Sequence, residues 1–319
     1  MHIRHSVIIG FLGRQVDRFT EYQPARTVEE KLEMAQRVEG IQGVEVVYPV
    51  EFEDVENSIE LIRATGLKVS AVNLNLKQDP KWSRGSLTAA DPQFRADAVA
   101  DMCTAMDIAA ELGANLVTCC PLIDGHDYVF QIDYTQRWRW LIEGVREGAQ
   151  HRSDVRVSME YKSAEPRTRT ILPDCGRALH VCNQVGLDNV GVTLDLGHAF
   201  AAQEAPAESV CLLHDAGRLF YVHFNDNPRD WDWDMLPAAV HPWDFIETLF
   251  YLDKLGWDGW FAYDVVTKQG DPVESFSATI KIVDALHAML DKLGRDKLQE
   301  FIDEGIPART FEYLVTSLV

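Results

Sequence analysis

Eight times along this chain a short apolar run is followed by a longer helix-like segment, and few folds accept that rhythm. The apolar runs cover residues 7–11, 44–47, 68–73, 115–119, 157–160, 190–195, 219–224 and 260–264. Helical patterning follows over 27–37, 54–64, 91–112, 134–150, 171–184, 206–216, 242–255 and 272–293, several closed by glycine. Most of the runs are continuously apolar rather than alternating, as in strands buried on both faces. Repeated strand–helix units imply parallel strands with right-handed crossovers. Eight units in under 300 residues predict a closed α/β barrel, the (β/α)8 TIM barrel, with a C-terminal helical extension. The predicted division is a barrel over 1–293 and an extension over 294–319, packed on the barrel or on a partner subunit. An open doubly wound sheet would carry a Gly-rich phosphate turn after its first strand; here Gly10-Phe-Leu-Gly13 lacks the third glycine.

Composition narrows the function. With 46% hydrophobic and 25% charged residues the chain reads as globular. A formal charge of −20 with no Lys/Arg run excludes the basic surface that nucleic-acid binding requires. The first apolar run is too short for a signal segment, and no stretch reaches the ~18 residues of a membrane helix. Cysteines at 103, 119, 120, 175, 182 and 211 form no C-x-x-C pair, as expected of free thiols in a cytoplasmic protein.

Chemistry in such a barrel belongs where strands end and βα loops begin. The fifth strand ends at Glu160 in Val157-Ser-Met-Glu-Tyr-Lys162. The sixth ends at Asp195 in Val192-Thr-Leu-Asp-Leu-Gly-His198. The seventh carries His223 in Phe220-Tyr-Val-His-Phe-Asn-Asp226, and the eighth ends at Asp264 in Trp260-Phe-Ala-Tyr-Asp264. Any one of these alone would be a helix cap, a turn residue or a core histidine. Together, three carboxylates and an imidazole converging on one rim need a compensating charge. A divalent cation supplies it, and oxygen ligands with one imidazole suit Mn²⁺ first, with Mg²⁺, Co²⁺ or Zn²⁺ as alternatives.

These motifs (Glu160-x-Lys162, Asp195-x-x-His198, His223-Phe-Asn-Asp226 and Asp264) resemble the xylose isomerase-like barrel superfamily of sugar isomerases and epimerases, over roughly residues 155–275. In motifs the chain is nearest the L-rhamnose and D-xylose isomerases. It also resembles the catalytic subunit of C-glycoside deglycosidases. The resemblance implies a metal held by Glu160, Asp195, His223 and Asp264, with Glu160 and Asp264 also serving the chemistry. It implies a Lys162 that stabilises negative charge at the substrate carbonyl. It further implies a second metal or substrate site around His198 with Asp230, Asp232 or Asp234. Where many epimerases of the superfamily carry a Glu on strand eight, this chain has Asp264.

Other candidates come from position. His126, in the loop after strand four, sits where a ring-opening or proton-abstracting base belongs, or is a loop histidine. Glu165 and Arg167 would orient substrate hydroxyls or pair with each other. Where the isomerases carry a ring-opening histidine, this chain offers Tyr48, Asn73 and Asn75. Trp82, Trp138 and Trp140 would stack on a sugar or serve as core or interface aromatics; if Asp230, Asp232 and Asp234 form only a solvated acidic loop, Trp231 and Trp233 would act as a lid. Cys119 and Cys120 read as packing. The expected activity is metal-assisted isomerisation or epimerisation of a monosaccharide or sugar derivative. The alternative is carbon–carbon lysis of a 3-oxo-glycoside, working with a small β-rich partner; otherwise a homo-oligomer is expected. A three-zinc abasic-site endonuclease is disfavoured by the acidic charge and few histidines. The intact four-ligand set disfavours a metal-free binding barrel.

Overall fold

The computed structural model describes residues 1–165 and 167–317. Eight parallel strands close into a barrel: β1 (Arg4–Ile8), β2 (Gly43–Tyr48), β3 (Lys68–Leu74), β4 (Leu116–Cys119), β5 (Arg156–Glu160), β6 (Val190–Asp195), β7 (Leu219–Phe224) and β8 (Trp260–Tyr263). Each pairs with its sequence neighbours, and β8 returns to β1 with Arg4 opposite Trp260. The outer helices are α1 (Val28–Gln36), α2 (Val55–Ala64), α3 (Pro92–Glu111), α4 (Tyr134–Ala149) and α5 (Cys175–Val185). The second half adds a short α6 (Leu196–Ala201) directly after β6, then α7 (Pro206–Asp215), α8 (Pro242–Lys254) and α9 (Pro272–Leu293).

Local chemistry explains where the helices start. Asp54, Asp91, Asp133, Asp174 and Asp271 are N-caps whose carboxylates accept backbone amides of the first turn. Each such cap stabilises its helix by about 1 kcal/mol. Part of the acidity of the chain therefore sits at helix N-termini, where the dipole favours it. α1 opens with a capping box between Thr27 and Glu30.

The first strand differs from the expected 7–11. It lies three residues earlier, and Ile9–Leu12 curl into a 3-10 turn closed by the Gly13 amide on the Gly10 carbonyl at 3.1 Å. Ile9 and Leu12 are fully buried there, so the apolar run continues past the strand. The fifth helix likewise begins at Cys175 rather than 171, because Asp174 caps it and Thr168–Thr170 form a short strand of a rim sheet. The extension forms α10 (Arg295–Glu304) and α11 (Pro307–Thr316). It is tied down by the Tyr313 hydroxyl on the Leu293 carbonyl at 2.7 Å and by Phe311 against Trp243. Residues 318–319 of the expected extension lie outside those described. Among the described residues, no helix is long and apolar enough to cross a membrane.

The barrel interior is filled, not open. Inward side chains from Ser6, Ser70, Thr118, Ser158, Thr193 and Tyr221 are all buried and joined by hydrogen bonds. This packed floor supports the C-terminal ends of the strands, where a cavity of about 720 Å³ opens.

Candidate metal centre

The strand ends bring together four side chains predicted from sequence. Glu160, Asp195, His223 and Asp264 each present one ligand atom, all within 4.8 Å of one another. His223 Nδ1 lies 3.3 Å from Glu160 Oε1, 3.7 Å from Asp195 Oδ2 and 4.0 Å from Asp264 Oδ2. Its other nitrogen, Nε2, is 3.0 Å from Glu45 Oε2. A carboxylate there accepts the Nε2 hydrogen and orients the ring so that Nδ1 points into the acidic cluster, where its lone pair would be available to a cation.

Glu45 is the main residue that sequence reasoning missed. It is fully buried on β2, and its second oxygen accepts the Asn73 amide at 2.7 Å. The available signal was a lone charge inside the apolar strand Gly43-Val-Glu-Val-Val-Tyr48. Asn225 was missed as well; its amide donates to Asp195 Oδ2 at 2.9 Å. Gly197 makes that contact feasible, since a Cβ there would overlap Asn225 Oδ1. The other Asp195 oxygen caps α6 through the His198 amide at 2.8 Å.

A second group adjoins the first. Asp195, His198 and Asp232 also place ligand atoms within 4.8 Å of one another. His198 Nε2 is 3.1 Å from Asp232 Oδ2, and Nδ1 is 3.2 Å from Glu160 Oε1 yet makes no hydrogen bond. Of the three loop aspartates, Asp232 thus joins this group and Asp234 lines the cavity, whereas Asp230 accepts the Trp233 indole at 3.0 Å. The loop is anchored by buried Asp226, which accepts the Val240 and His241 amides and the His241 ring.

Lys162 lies between Glu165 Oε1 at 2.5 Å and Asp232 Oδ2 at 2.9 Å, its ammonium 5.7 Å from the Trp231 ring centre. Burial disfavours its charge, but the two carboxylates outweigh that and hold it firmly protonated. It therefore suits a charge-stabilising role rather than that of a base.

His126 and Arg167 are placed elsewhere. His126 pairs with Arg169 in the small rim sheet and packs edge-on against Tyr134, 5.1 Å between ring centres. Arg167 is exposed, and Glu165 pairs with Lys162 instead. Among the described residues, neither His126 nor Arg167 lines the cavity. Trp82 is core, Trp138 packs edge-on to His180, and Trp140 lies beneath Arg95. Cys119 is buried, its thiol pushed up to about 12 mainly by burial. Cys120 lines the cavity and forms a third close group with Glu160 and His198. Tyr48 packs against Phe52, while Asn73 and Asn75 line the cavity.

The electrostatics are frustrated. Five carboxyl groups (Glu160, Asp195, Asp232, Asp234 and Asp264) share the cluster with one permanent cation, Lys162. Burial pushes the Asp195 carboxyl up to about 6, against the pull of His198. Burial, then repulsion from Asp195, drives Asp264 well above the usual carboxylate range. Asp234 is raised in the same way, by burial and then by Asp232 and Asp264. Glu160 goes the other way: burial opposes its charge, but His223 and His198 hold its carboxyl well below the usual range. Asp264 Oδ1, Asp232 Oδ1 and His198 Nδ1 are buried without any hydrogen bond. Orphaned oxygens and an orphaned imidazole nitrogen within these adjoining groups fit a divalent cation, which removes the repulsion and satisfies lone pairs.

Comparisons with known proteins bear on the family and the fold. The family model described as xylose isomerase-like TIM barrel matches residues 32–289. The xylose isomerase of Thermus thermophilus is 30% identical over 199 residues, 59% of this chain and 51% of that protein. The xylose isomerase of Thermus caldophilus is 29% identical over 166 residues, 50% of this chain and 43% of that protein. The chain thus spans about half the length of these curated relatives. Among solved structures, L-ribulose 3-epimerase superposes with a TM-score of 0.71 at 16% identity, covering 94% of this chain and 98% of that one. The E. coli 3-keto-D-glucoside 4-epimerase YcjR gives 0.66 at 14% identity, covering 88% and 100%. At such identities the structural likeness is one of fold, and it is the sequence match across 32–289 that decides: this chain belongs to the xylose isomerase-like TIM barrel family.

Proposed function

We propose that this protein is a divalent-metal-dependent sugar isomerase or epimerase. The observation that carries the reading is the convergence of Glu160, Asp195, His223 and Asp264 within 4.8 Å at the ends of four consecutive strands. These four side chains would hold the cation, with Mn²⁺ favoured and Mg²⁺, Co²⁺ or Zn²⁺ as alternatives. Asp195, His198 and Asp232 would hold a second. When bound, the metal supplies Lewis acidity toward adjacent substrate oxygens. The substrate would lie in the cavity, with Lys162 donating to the oxygen that gains negative charge. Glu165, which lines the cavity beside Lys162, would hold or move a proton, and Asp234, which also lines it, would contact substrate hydroxyls. Elemental analysis of the purified protein before and after chelation, with a panel of aldoses and ketoses, tests this. One or two divalent ions per chain and a metal-dependent interconversion are expected. No stoichiometric metal, even after soaking with Mn²⁺, would sink the reading.

A second reading is favoured by one observation. His198 is the one histidine lining the cavity among the described residues, and both its ring nitrogens face carboxylates. No free imidazole meets the substrate to open a sugar ring. A ring-closed 3-oxo-glycoside would need none, which supports carbon–carbon lysis with a small partner subunit. The exposed Ile302, Ile306, Phe311 and Val315 of the extension support a docking role, to that partner or to a second copy. Turnover of a 3-oxo-glycoside, with inertness on free aldoses, would select this reading.

A further inference from the structure

The cavity is built with two unlike sides. Its acidic side comes from β5 to β8, as described. The loops after β1 and β3 contribute Arg14, Arg26 and Lys77, and α1 contributes Lys31. In the closed strand order these loops flank β2, which stands across the barrel from β6, the strand of Asp195. Two of the cations are neutralised: Arg14 pairs with Glu21 at 2.8 Å and Lys31 with Glu51 at 2.5 Å. The other two are not.

Arg26 donates to the Leu12 carbonyl at 2.7 Å and to Gln23 Oε1 at 3.1 Å, both uncharged acceptors. Gln23 is itself buried, so the guanidinium is braced with its charge uncompensated. Among the described residues, the Lys77 ammonium has no ion-pair or hydrogen-bond partner. Its backbone is set by Asn75 Oδ1, which accepts the Lys77 and Gln78 amides at 3.2 and 3.0 Å. The half-buried Lys77 lines the same cavity as Cys120 and Glu160. A chain of net charge −20 has abundant carboxylates to pair a surface lysine. Leaving two cations uncompensated in one cavity is what recognition of an anion requires.

We infer that Arg26 and Lys77 select a substrate carrying an anionic group, a carboxylate or a phosphate, at the end of the sugar opposite the metal-binding side. The inference rests on the sugar-isomerase reading of the cavity and names its substrate class. A neutral sugar would leave both cations facing water. An anionic one would gain charge-assisted bonds there while its other end lies against the acidic cluster.

The test uses a matched set of probes on the whole Mn²⁺-treated protein: D-glucose, D-glucuronate and D-glucose 6-phosphate, titrated by calorimetry. At least one anionic probe should bind about tenfold or more tightly than D-glucose, weakening as salt is raised. The carboxylate and phosphate arms decide which anion the cations read. Lys77→Met and Arg26→Met should each lower that preference about tenfold without changing D-glucose binding, and Lys77→Arg should keep most of it. Equal affinity for all three probes, no binding of any, or a preference untouched by both methionine variants would overturn the inference. Repeating the titration on chelated protein separates the two claims. Anion preference in a protein that takes up no metal upholds this inference and sinks the metal reading. A metal-loaded protein that ignores the charge of the probe does the reverse.

Discussion

Two layers of the same barrel, one residue pair apart, are built on opposite terms. In the upper layer stand Glu160, Asp195, His223 and Asp264. Two positions earlier on the same strands, and so on the same inward face, stand Ser158, Thr193, Tyr221 and Ala262. In the lower layer Thr193 Oγ bonds Thr118 at 2.8 Å and Ser158 at 2.7 Å, and the Tyr221 hydroxyl bonds Ser70 at 2.7 Å. Its groups are neutral, buried and partnered. The upper layer is charged, borders the cavity, and keeps an orphaned oxygen on Asp264, with further orphaned atoms on the adjoining Asp232 and His198. A satisfied polar layer stabilises a fold, whereas an unsatisfied one waits for a ligand. The difference teaches where to look for function: at the layer the protein leaves electrostatically incomplete.

The sharpest way to break that comparison is to remove charge from the upper layer. Glu160→Gln should abolish stoichiometric metal and lower kcat/KM on any identified substrate by about 10³-fold or more, a loss typical of a vital electrostatic group. Retained metal and activity would mean that the upper layer is merely a polar cap. A smaller effect should follow from Glu45, which serves that layer without belonging to it. It accepts from both His223 Nε2 and Asn73 Nδ2, which requires two acceptor oxygens. Glu45→Gln leaves one, so one donor faces an amide N–H. Metal affinity, read by competition with a chelator, should fall about 10–100-fold, with the fold intact. Unchanged affinity would show that the tautomer of His223 is set otherwise.

How much of this was legible beforehand follows the same division. The upper layer announced itself because charged residues closing four consecutive apolar strands are chemically conspicuous. The barrel was legible for a related reason: the apolar runs repeat. The first strand was misplaced because Ile9 and Leu12 are as apolar in their 3-10 turn as they would be in the barrel wall. Glu45 was overlooked because its partner, His223, lies 178 positions away. Which of Asp230, Asp232 and Asp234 turns inward depends on the anchoring by Asp226, invisible in spacing alone. His126 looked well placed after β4 because nothing in the sequence shows that Gly125–His126 form a rim strand with Thr168–Thr170.

Stability gives a third, smaller contrast. The raised carboxyl of Asp264 means that the folded, metal-free chain disfavours its charge. At neutral pH, where an unfolded carboxylate is ionised, that lowers stability. Asp264→Asn should therefore raise the stability of chelated protein by about 1–2 kcal/mol while weakening metal binding. Urea unfolding with and without Mn²⁺ reads both effects. A chelated variant less stable than chelated wild type would show that Asp264 is a structural residue and that the repulsion is relieved without metal.

In the lower layer the sign should reverse and the dependence on metal should vanish. Thr118, Ser158 and Thr193 form a closed set of hydroxyls on β4, β5 and β6, all fully buried. Thr193→Val keeps the shape but leaves two hydroxyls without a partner, at a cost of about 1–2 kcal/mol. Replacing the set together (Thr118→Val, Ser158→Ala, Thr193→Val) removes every orphan, so most of that loss should return. The urea midpoint should move with an unchanged slope, and metal stoichiometry should stay at its wild-type value in both variants. If the triple variant also loses its metal, the two layers are mechanically coupled, and the lower one positions Glu160 and Asp195 as well as holding the barrel together.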